Sequence, residues 1–267
     1  MANEHYENFP VASVLLPKRW REPIAAIYAF ARSADDFADE GDLEPARRLA
    51  LLDDYRTELT AMQEGLSSRH PVFLRLRPVV ADYQLPLQLF HDLLDAFSQD
   101  VTKTRYATFM ELKDYCRRSA DPVGRLLLKL FGTDSAENLY RSDAICTSLQ
   151  LINHWQDIAV DWRKGRVYLP AEDLARFGVG EDQIARAEVD ERWRALMRFQ
   201  IDRARALMRE GAPLGRSLPG RIGLEIRAIV AGGLRIAAKI EAGGYDVFRH
   251  RPVLERPDWL RVAWAAM

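Results

Sequence analysis

The chain has few of the residues that mark several large classes of protein. Cys116 and Cys146 are its only cysteines and lie far apart, so neither a disulfide framework nor a zinc site is expected. A formal charge of -1 over 267 residues gives no electrostatic basis for binding nucleic acid. No apolar run approaches the roughly 20 residues that cross a bilayer, and the first residues lack a signal-peptide pattern. We therefore expect a soluble, cytoplasmic protein.

The common catalytic motifs are absent as well. There is no GxSxG, no P-loop and no GxGxxG after a strand, and the five histidines match no HExxH spacing. The stretch DDFADEGD at residues 35–42 fails the EF-hand pattern because Phe37 and Ala38 occupy ligand positions. The chemistry must therefore come from residues outside these motifs.

Helical periodicity runs through almost the whole chain, and no alternating strand pattern is convincing. Short connections without a linker or a repeat predict a single all-α domain over residues 1–267, a helical bundle with a central cleft. We expect helices at residues 19–40, 45–64, 72–83, 86–99, 109–118, 122–131, 135–163, 171–179, 182–210 and 219–242, followed by a tail rich in proline and tryptophan.

A polar stripe runs along the first of these helices. Tyr28, Arg32, Asp35 and Asp39 follow one another at i, i+4, i+7 and i+11, so they share one face. Acidic side chains crowd the end of this helix before Gly41, where they oppose the helix dipole. A divalent cation is the obvious group to stabilise that charge.

A second stripe of the same kind lies far downstream. Gln150, Asn153, Asp157 and Asp161 occupy i, i+3, i+7 and i+11 of the helix predicted at 135–163. A solvated acidic face is the usual explanation for such a pattern, but these residues stand among apolar ones and need partners. Two helices that end in carboxylates can face each other across a cleft and hold metal ions between them.

Basic and aromatic residues accompany the two stripes. Mg²⁺ favours one or two carboxylates completed by water and substrate phosphates, and arginine suits phosphate oxygens. The combination indicates capture of a diphosphate, although ordinary helix capping explains any one basic residue nearly as well. A departing diphosphate would leave a carbocation that needs a dry aromatic pocket. The basic candidates are Arg32, Arg163, Lys164 and Arg166. The aromatic candidates are Phe9, Tyr28, Phe37, Tyr115, Trp155 and Tyr168, and for any one of these core packing is the likelier explanation.

The sequence resembles the squalene and phytoene synthase family over nearly its whole length. The matching segments are LLP at 15–17, YAFARSADDFADE at 28–40, YC at 115–116, PVGRLLLKLFG at 122–132, the stretch from Gln150 to Pro170, and GYDVF at 244–248. The resemblance implies an isoprenoid-synthase fold and two or three Mg²⁺ ions on a prenyl diphosphate. By this resemblance the metal ligands are Asp35, Asp39, Asn153, Asp157 and Asp161, the further catalytic residues are Tyr28 and Arg32, and the substrate is contacted by Phe9, Tyr115, Gln150, Gln156, Lys164, Arg166 and Tyr168.

Departures from the family pattern point to one of its branches. Residues 5–9 read HYENF where condensing members often have HSxSF, and residues 119–124 read SADPVG in place of VAGxVG. Gln156 replaces a common arginine, and Gly233 a common tyrosine. These variants resemble the bacterial hydroxysqualene synthase branch of hopanoid biosynthesis, which ionises presqualene diphosphate and quenches the cation with water. No NAD(P)H is expected; Tyr6, Asn8, Asp121 and Gln156 are candidates to orient the water.

Several alternatives stay open. A condensing member would make presqualene diphosphate, dehydrosqualene or phytoene from two prenyl diphosphates, and Gln156 and Gly233 count against it. A non-catalytic relative could act as an assembly protein, although its acidic motifs should then have eroded. The tail PDWLRVAWAAM at 257–267 could contact the inner membrane peripherally or pack on the bundle, and packing is slightly favoured. Association with enzymes of the hopanoid pathway also stays open.

Overall fold

The structure is a computed structural model that describes residues 17–267. Within that range the prediction of an all-α fold is confirmed, and an isolated bridge between Arg105 and Val167 is the only β pairing. The helices are α1 (Lys18–Asp39), α2 (Pro45–Gln63), α3 (Pro71–Tyr83), α4 (Leu87–Thr102), α5 (Phe109–Ser119), α6 (Asp121–Phe131), α7 (Ala136–Gln156), α8 (Ile158–Arg163), α9 (Ala171–Phe177), α10 (Glu181–Ala185), α11 (Glu191–Gly211), α12 (Leu214–Ser217), α13 (Gly220–Ala242) and α14 (Arg256–Ala266).

The apolar face of α1 anchors the first half of the bundle. Ile27, Phe30 and Ala34 recur at helical spacing and are buried against α2, α3 and α4. The ring of Phe30 meets those of Phe73 and Phe90 edge-to-face, with centroids 5.7 and 5.1 Å apart. Because this face is fixed in the core, the polar stripe of α1 turns toward the centre of the molecule.

The second half packs around α7 and α11. Trp155 on α7 and Trp193 on α11 are fully enclosed in this core. Gly233 on α13 lets three helices approach closely, since a Cβ there would lie 2.7 Å from Met208 and 2.8 Å from Leu149. A larger side chain at this position would require the ends of the Met208 and Leu149 side chains to move.

Three predicted elements differ from the structure. The helix expected at 135–163 breaks at Asp157, whose φ of −104° and ψ of 10° leave helical geometry. The helix expected at 182–210 begins only at Glu191, because the Asp190 carboxylate caps it by accepting the Trp193 N–H at 2.8 Å. The tail, for which no helix was predicted, forms α14 behind a capping box of Glu255 and Asp258.

The extended connector at residues 165–170 docks beside the end of α4. The amide of Val167 donates to the Thr104 carbonyl at 2.9 Å, and that of Ala171 to the Tyr106 carbonyl at 2.9 Å. These bonds fix the connector at both ends and carry its side chains toward the centre of the bundle. No helix in the described range has the length and hydropathy needed to cross a membrane.

Truncation of Phe30 should destabilise the whole first half of the bundle. We expect Phe30→Ala to lower the free energy of unfolding by about 3–5 kcal/mol, since it removes a ring packed on all sides. Phe30→Leu, which keeps most of the volume, should cost less. Urea titration followed by circular dichroism measures both; an alanine variant as stable as the leucine variant would contradict this account of the core.

Candidate active site

A polar chamber of about 150 Å³ lies between α1 and the α7–α8 junction. It brings the two predicted acidic stripes together, and its wall holds a carboxylate, a histidine and two tyrosines besides. The lining residues are Asp35, Asp39, Asp100, Tyr115, Gln150, Asn153, His154, Asp157, Asp161, Arg166 and Tyr168. Carboxylate and amide oxygens from α1, α4, α7 and α8 thus converge on one small space, and the connector adds Arg166 and Tyr168.

In the first aspartate pair, Asp39 is held by two basic groups that follow α8. Arg166 Nη1 lies 2.6 Å from Asp39 Oδ1 and Lys164 Nζ lies 3.1 Å from Asp39 Oδ2. Burial alone would raise the pKa of Asp39, but these two cations outweigh it and hold that pKa below its ordinary value. Asp35 has less compensation: burial and the neighbouring Asp39 raise its pKa to about 6, although Arg32 opposes the shift.

The second pair sits where α7 breaks. The guanidinium of Arg251 grips Asp157 with two nitrogens, one of them 3.1 Å from Oδ2. Asp161 lies one turn further on, and burial together with Asp157 raises its pKa to about 8. The chamber therefore holds carboxylates that are costly to ionise without an added cation.

Asp100 and His154 complete the chamber and were not among the predicted residues. Asp100 accepts hydrogen bonds from the hydroxyls of Tyr115 at 2.6 Å and Tyr168 at 3.1 Å, and burial raises its pKa to about 7. His154 stacks on Tyr168 with centroids 3.7 Å apart, and burial lowers its pKa to about 3, so the imidazole is neutral. Asp100 could have been found from the sequence, because it is a lone carboxylate on the apolar stripe of α4.

The C-terminal end of α1 is stabilised by a residue of the next helix, which the sequence of α1 alone does not indicate. Arg48 on α2 donates to the carbonyls of Phe37 at 3.0 Å, Glu40 at 3.1 Å, Gly41 at 2.7 Å and Leu43 at 3.0 Å. A cation on the last carbonyls of a helix offsets its dipole and the acidic residues beside it. This contact lets α1 end in aspartates.

A larger apolar chamber of about 390 Å³ adjoins the polar one. Asp35 lies in the walls of both, so the two spaces meet at the first acidic stripe. Tyr28 and Arg32, on the same stripe of α1, line the apolar chamber. The remaining wall is made by Ile24, Ile27, Ala31, Leu93, Phe97, Ser119, Val123, Leu127, Phe131, Ile222, Glu225, Ile226 and Ile229.

Other predicted residues lie elsewhere. Gln156 and Asp121 line neither the polar nor the apolar chamber: the Gln156 amide donates to the Pro252 carbonyl, and Asp121 accepts a hydrogen bond from Thr147 at 2.9 Å. Phe37 packs on Tyr55 with centroids 5.1 Å apart, Trp155 is a core residue, and Arg163 is exposed. Phe9, Tyr6 and Asn8 fall outside the described residues.

The donor set suits Mg²⁺ bound together with a phosphate ligand. Among residues 17–267 no three carboxylates, imidazoles or thiols form a ready-made metal centre. Mg²⁺ does not require one, because it takes one or two carboxylates and fills its remaining positions with water and phosphate oxygens. The two aspartate pairs, with the amide oxygens of Gln150 and Asn153, provide that incomplete set around one cavity.

Comparisons with a family model and with known sequences all point to the same family. The family model described as squalene/phytoene synthase matches residues 2–258. The hydroxysqualene synthase of Rhodopseudomonas palustris is 37% identical over 263 residues, which cover 98% of this chain and 88% of that protein. The phytoene synthase of Arthrospira platensis is 32% identical over 275 residues, covering 97% and 86%.

Solved structures agree with the fold. The squalene synthase HpnC of Alicyclobacillus acidocaldarius superposes with a TM-score of 0.84 at 40% identity, with 90% of each chain covered. A dehydrosqualene synthase solved with a ligand gives a TM-score of 0.82 at 23% identity, covering 94% of this chain and 87% of that one, a likeness of fold alone.

The raised carboxylate pKa values make metal-free stability depend on pH. A carboxyl whose pKa rises on folding keeps its proton in the folded state, so its contribution to stability is lost as pH rises from about 4 through the folded value. With Asp35 near 6 and Asp161 near 8, the melting temperature in EDTA should fall between pH 5.5 and pH 8.5. Mg²⁺ with inorganic diphosphate should restore it at pH 8.5.

Asp161→Asn isolates the contribution of this cluster. The variant should melt at a higher temperature than the parent at pH 8.5 in EDTA, with a flatter pH profile and a smaller response to Mg²⁺. Asp202→Asn, an exposed change on α11, is the control and should leave the profile unchanged. Differential scanning fluorimetry measures these melting profiles. Identical profiles for the parent and Asp161→Asn would contradict the raised pKa assigned to Asp161.

Proposed function

The chain belongs to the squalene/phytoene synthase family, whose members are isoprenoid synthases acting on prenyl diphosphates, and we propose that it is a hydroxysqualene synthase. Its reaction would ionise presqualene diphosphate and capture the rearranged cation with water, releasing hydroxysqualene and diphosphate. The observation that carries this proposal is the meeting of a charged chamber and an apolar one at Asp35.

The polar chamber suits the diphosphate. Lys164 and Arg166 already neutralise Asp39, and Arg32 lies 2.6 Å from Asp36, so cations surround the position where phosphate oxygens would lie. They would stabilise the negative charge that builds on the leaving oxygen as the carbon–oxygen bond breaks. Mg²⁺, when held by Asp35, Asp39, Asn153, Asp157 and Asp161, would neutralise the diphosphate and make it a better leaving group.

The apolar chamber suits the hydrocarbon. Isoleucine, leucine and phenylalanine side chains from α1, α4, α6 and α13 form most of its wall. Such a wall excludes bulk water and so protects a carbocation from indiscriminate capture. The aromatic ring of Tyr28 in the same wall would stabilise the developing positive charge.

Ser119 and Glu225 would position the single water that reacts. Apart from Tyr28, Arg32 and Asp35 on the α1 stripe, they are the polar side chains of the apolar wall in the described part of the chain. Oγ of Ser119 is buried with no hydrogen-bond partner there, and Oε2 of Glu225 is enclosed from solvent. A water between them would give its oxygen to the cation and its proton to the Glu225 carboxylate, which balances the hydration.

Hydration needs no reductant, which agrees with the expectation of no NAD(P)H. Presqualene diphosphate and water give an alcohol and diphosphate at the same oxidation level. A reductase of another class would then have to consume the product, and association with such a pathway neighbour is part of the same proposal.

Condensation of two prenyl diphosphates is the second candidate, because phytoene synthases are among the relatives. Gln156 and Gly233 were expected from the sequence to count against condensation, but the structure makes them weaker evidence. Gln156 bonds the backbone of Pro252, and Gly233 is enclosed by Met208 and Leu149 rather than facing a chamber. Two hydroxysqualene synthases match this chain at 37% and 36% identity, above the 32% and 31% of these phytoene synthases, which favours water capture.

Incubation with defined substrates distinguishes the two reactions. Purified protein with Mg²⁺ and presqualene diphosphate, without nicotinamide, should yield hydroxysqualene by mass analysis, and farnesyl diphosphate alone should yield no coupled product. Asp157→Asn should lower turnover by about 100-fold or more, because it removes a charge on which the diphosphate site depends. Asp202→Asn is the matched control. A coupled product from farnesyl diphosphate would refute the proposed reaction.

Product distribution tests the two water-positioning residues. In Glu225→Gln the consumption of presqualene diphosphate should stay within about threefold of the parent, while the alcohol falls by about tenfold relative to hydrocarbon products. Ser119→Ala should shift the ratio in the same direction but less. Ile226→Val, a change in the same wall, should leave the ratio near that of the parent. If substrate consumption and alcohol fall together in Glu225→Gln, the residue acts on ionisation and this role is wrong.

A further inference from the structure

A second open groove lies on the side of α13 away from the apolar chamber. It has a volume of about 630 Å³ and an apolar floor that includes Val230, Leu234 and Val262. Five arginines and no carboxylate line it, and they come from α11, α12, α13 and α14. We call this surface the arginine groove, after Arg209, Arg216, Arg227, Arg235 and Arg261.

Most of the positive charge of the groove is uncompensated. Arg235 pairs with Asp258 at 2.5 Å, and Arg227 donates to the backbone carbonyls of Ala266 and Gly215. Within residues 17–267 the exposed side chains of Arg209, Arg216 and Arg261 make no ion pair. Solvated arginines are common singly, but several around one groove form a field that attracts anions.

The helix that borders this groove exposes large apolar side chains. α14 buries Asp258, Val262 and Ala266 in the bundle, which confirms that the tail packs on the body. Its outer side nevertheless leaves Leu260 76% and Trp264 77% exposed. At i−1 and i+3 from Arg261, both stand next to the charged rim.

We propose that the outer side of α14 and the arginine groove form a docking surface for an anionic phospholipid bilayer. Tryptophan and leucine on one side of an amphipathic helix enter the headgroup region, and each nearby arginine adds attraction to acidic lipids. Charge complementarity with an array of lipid phosphates favours this occupant over a second copy of the chain, which would place like charges together. The contact is peripheral and does not depend on which reaction the chambers perform.

Vesicle sedimentation tests the surface with the full-length protein. Binding to phosphatidylcholine vesicles should be weak, binding to vesicles that also contain phosphatidylglycerol should be strong, and added salt should reduce it. Arg209→Gln with Arg261→Gln should weaken binding by about tenfold or more. Arg47→Gln with Arg69→Gln makes the same change in charge on exposed residues of the α2–α3 half and should have little effect.

A second pair of variants tests the apolar contact. Leu260→Ser with Trp264→Ser should also weaken binding to acidic vesicles, whereas Leu74→Ser with Met110→Ser, which alters apolar residues exposed elsewhere, should not. Circular dichroism verifies folding of all four variants. Equal binding by groove and control variants, or no binding to acidic vesicles, would overturn the proposal. Association of the parent into dimers that the α14 variant abolishes, without vesicle binding, would assign the surface to self-assembly instead.

Discussion

Enclosure of like charges in a small space is the constraint on which this structure depends. Asp35, Asp39, Asp157 and Asp161 line one chamber, and burial penalises the ionised forms of Asp35, Asp39 and Asp161. The protein compensates two of them directly, Asp39 through Arg166 and Lys164, and Asp157 through Arg251. Asp35 and Asp161 keep raised pKa values, so the remaining compensation is left to a ligand. Under the proposed function, an incomplete site of this kind would bind metal and diphosphate together more readily than either alone.

The separation of charge from hydrocarbon follows from the same arrangement. The break of α7 at Asp157 and the docked connector gather polar groups at one end of the cleft. The apolar face that α1 turns along Ile24, Ile27 and Ala31 forms the other end. A diphosphate lipid has this polarity along its length, so binding alone would place the bond that breaks at the boundary. That positioning would lower the barrier before any group acts on the substrate.

Sequence periodicity was enough to predict the all-α fold, both acidic stripes and their convergence, because these follow from local spacing. It could not predict contacts made by tertiary packing. Arg251 reaches Asp157 across 94 residues, and Arg48 stabilises the end of α1 from α2. His154 was set aside as one of several scattered histidines, and its place beside Tyr168 depends on how the connector docks. Helix boundaries failed where one residue decides them, as Asp190 does for α11.

Helix α13 separates the apolar chamber from the proposed membrane surface. Glu225, Ile226 and Ile229 face the apolar chamber, while Val230 and Leu234 line the arginine groove on the other side of the same helix. A hydrocarbon of thirty carbons partitions into lipid rather than water, at about 0.8 kcal/mol for each buried methylene group. A docking surface one helix away from the hydrocarbon chamber would therefore shorten the path of substrate and product between bilayer and site, without any spanning segment.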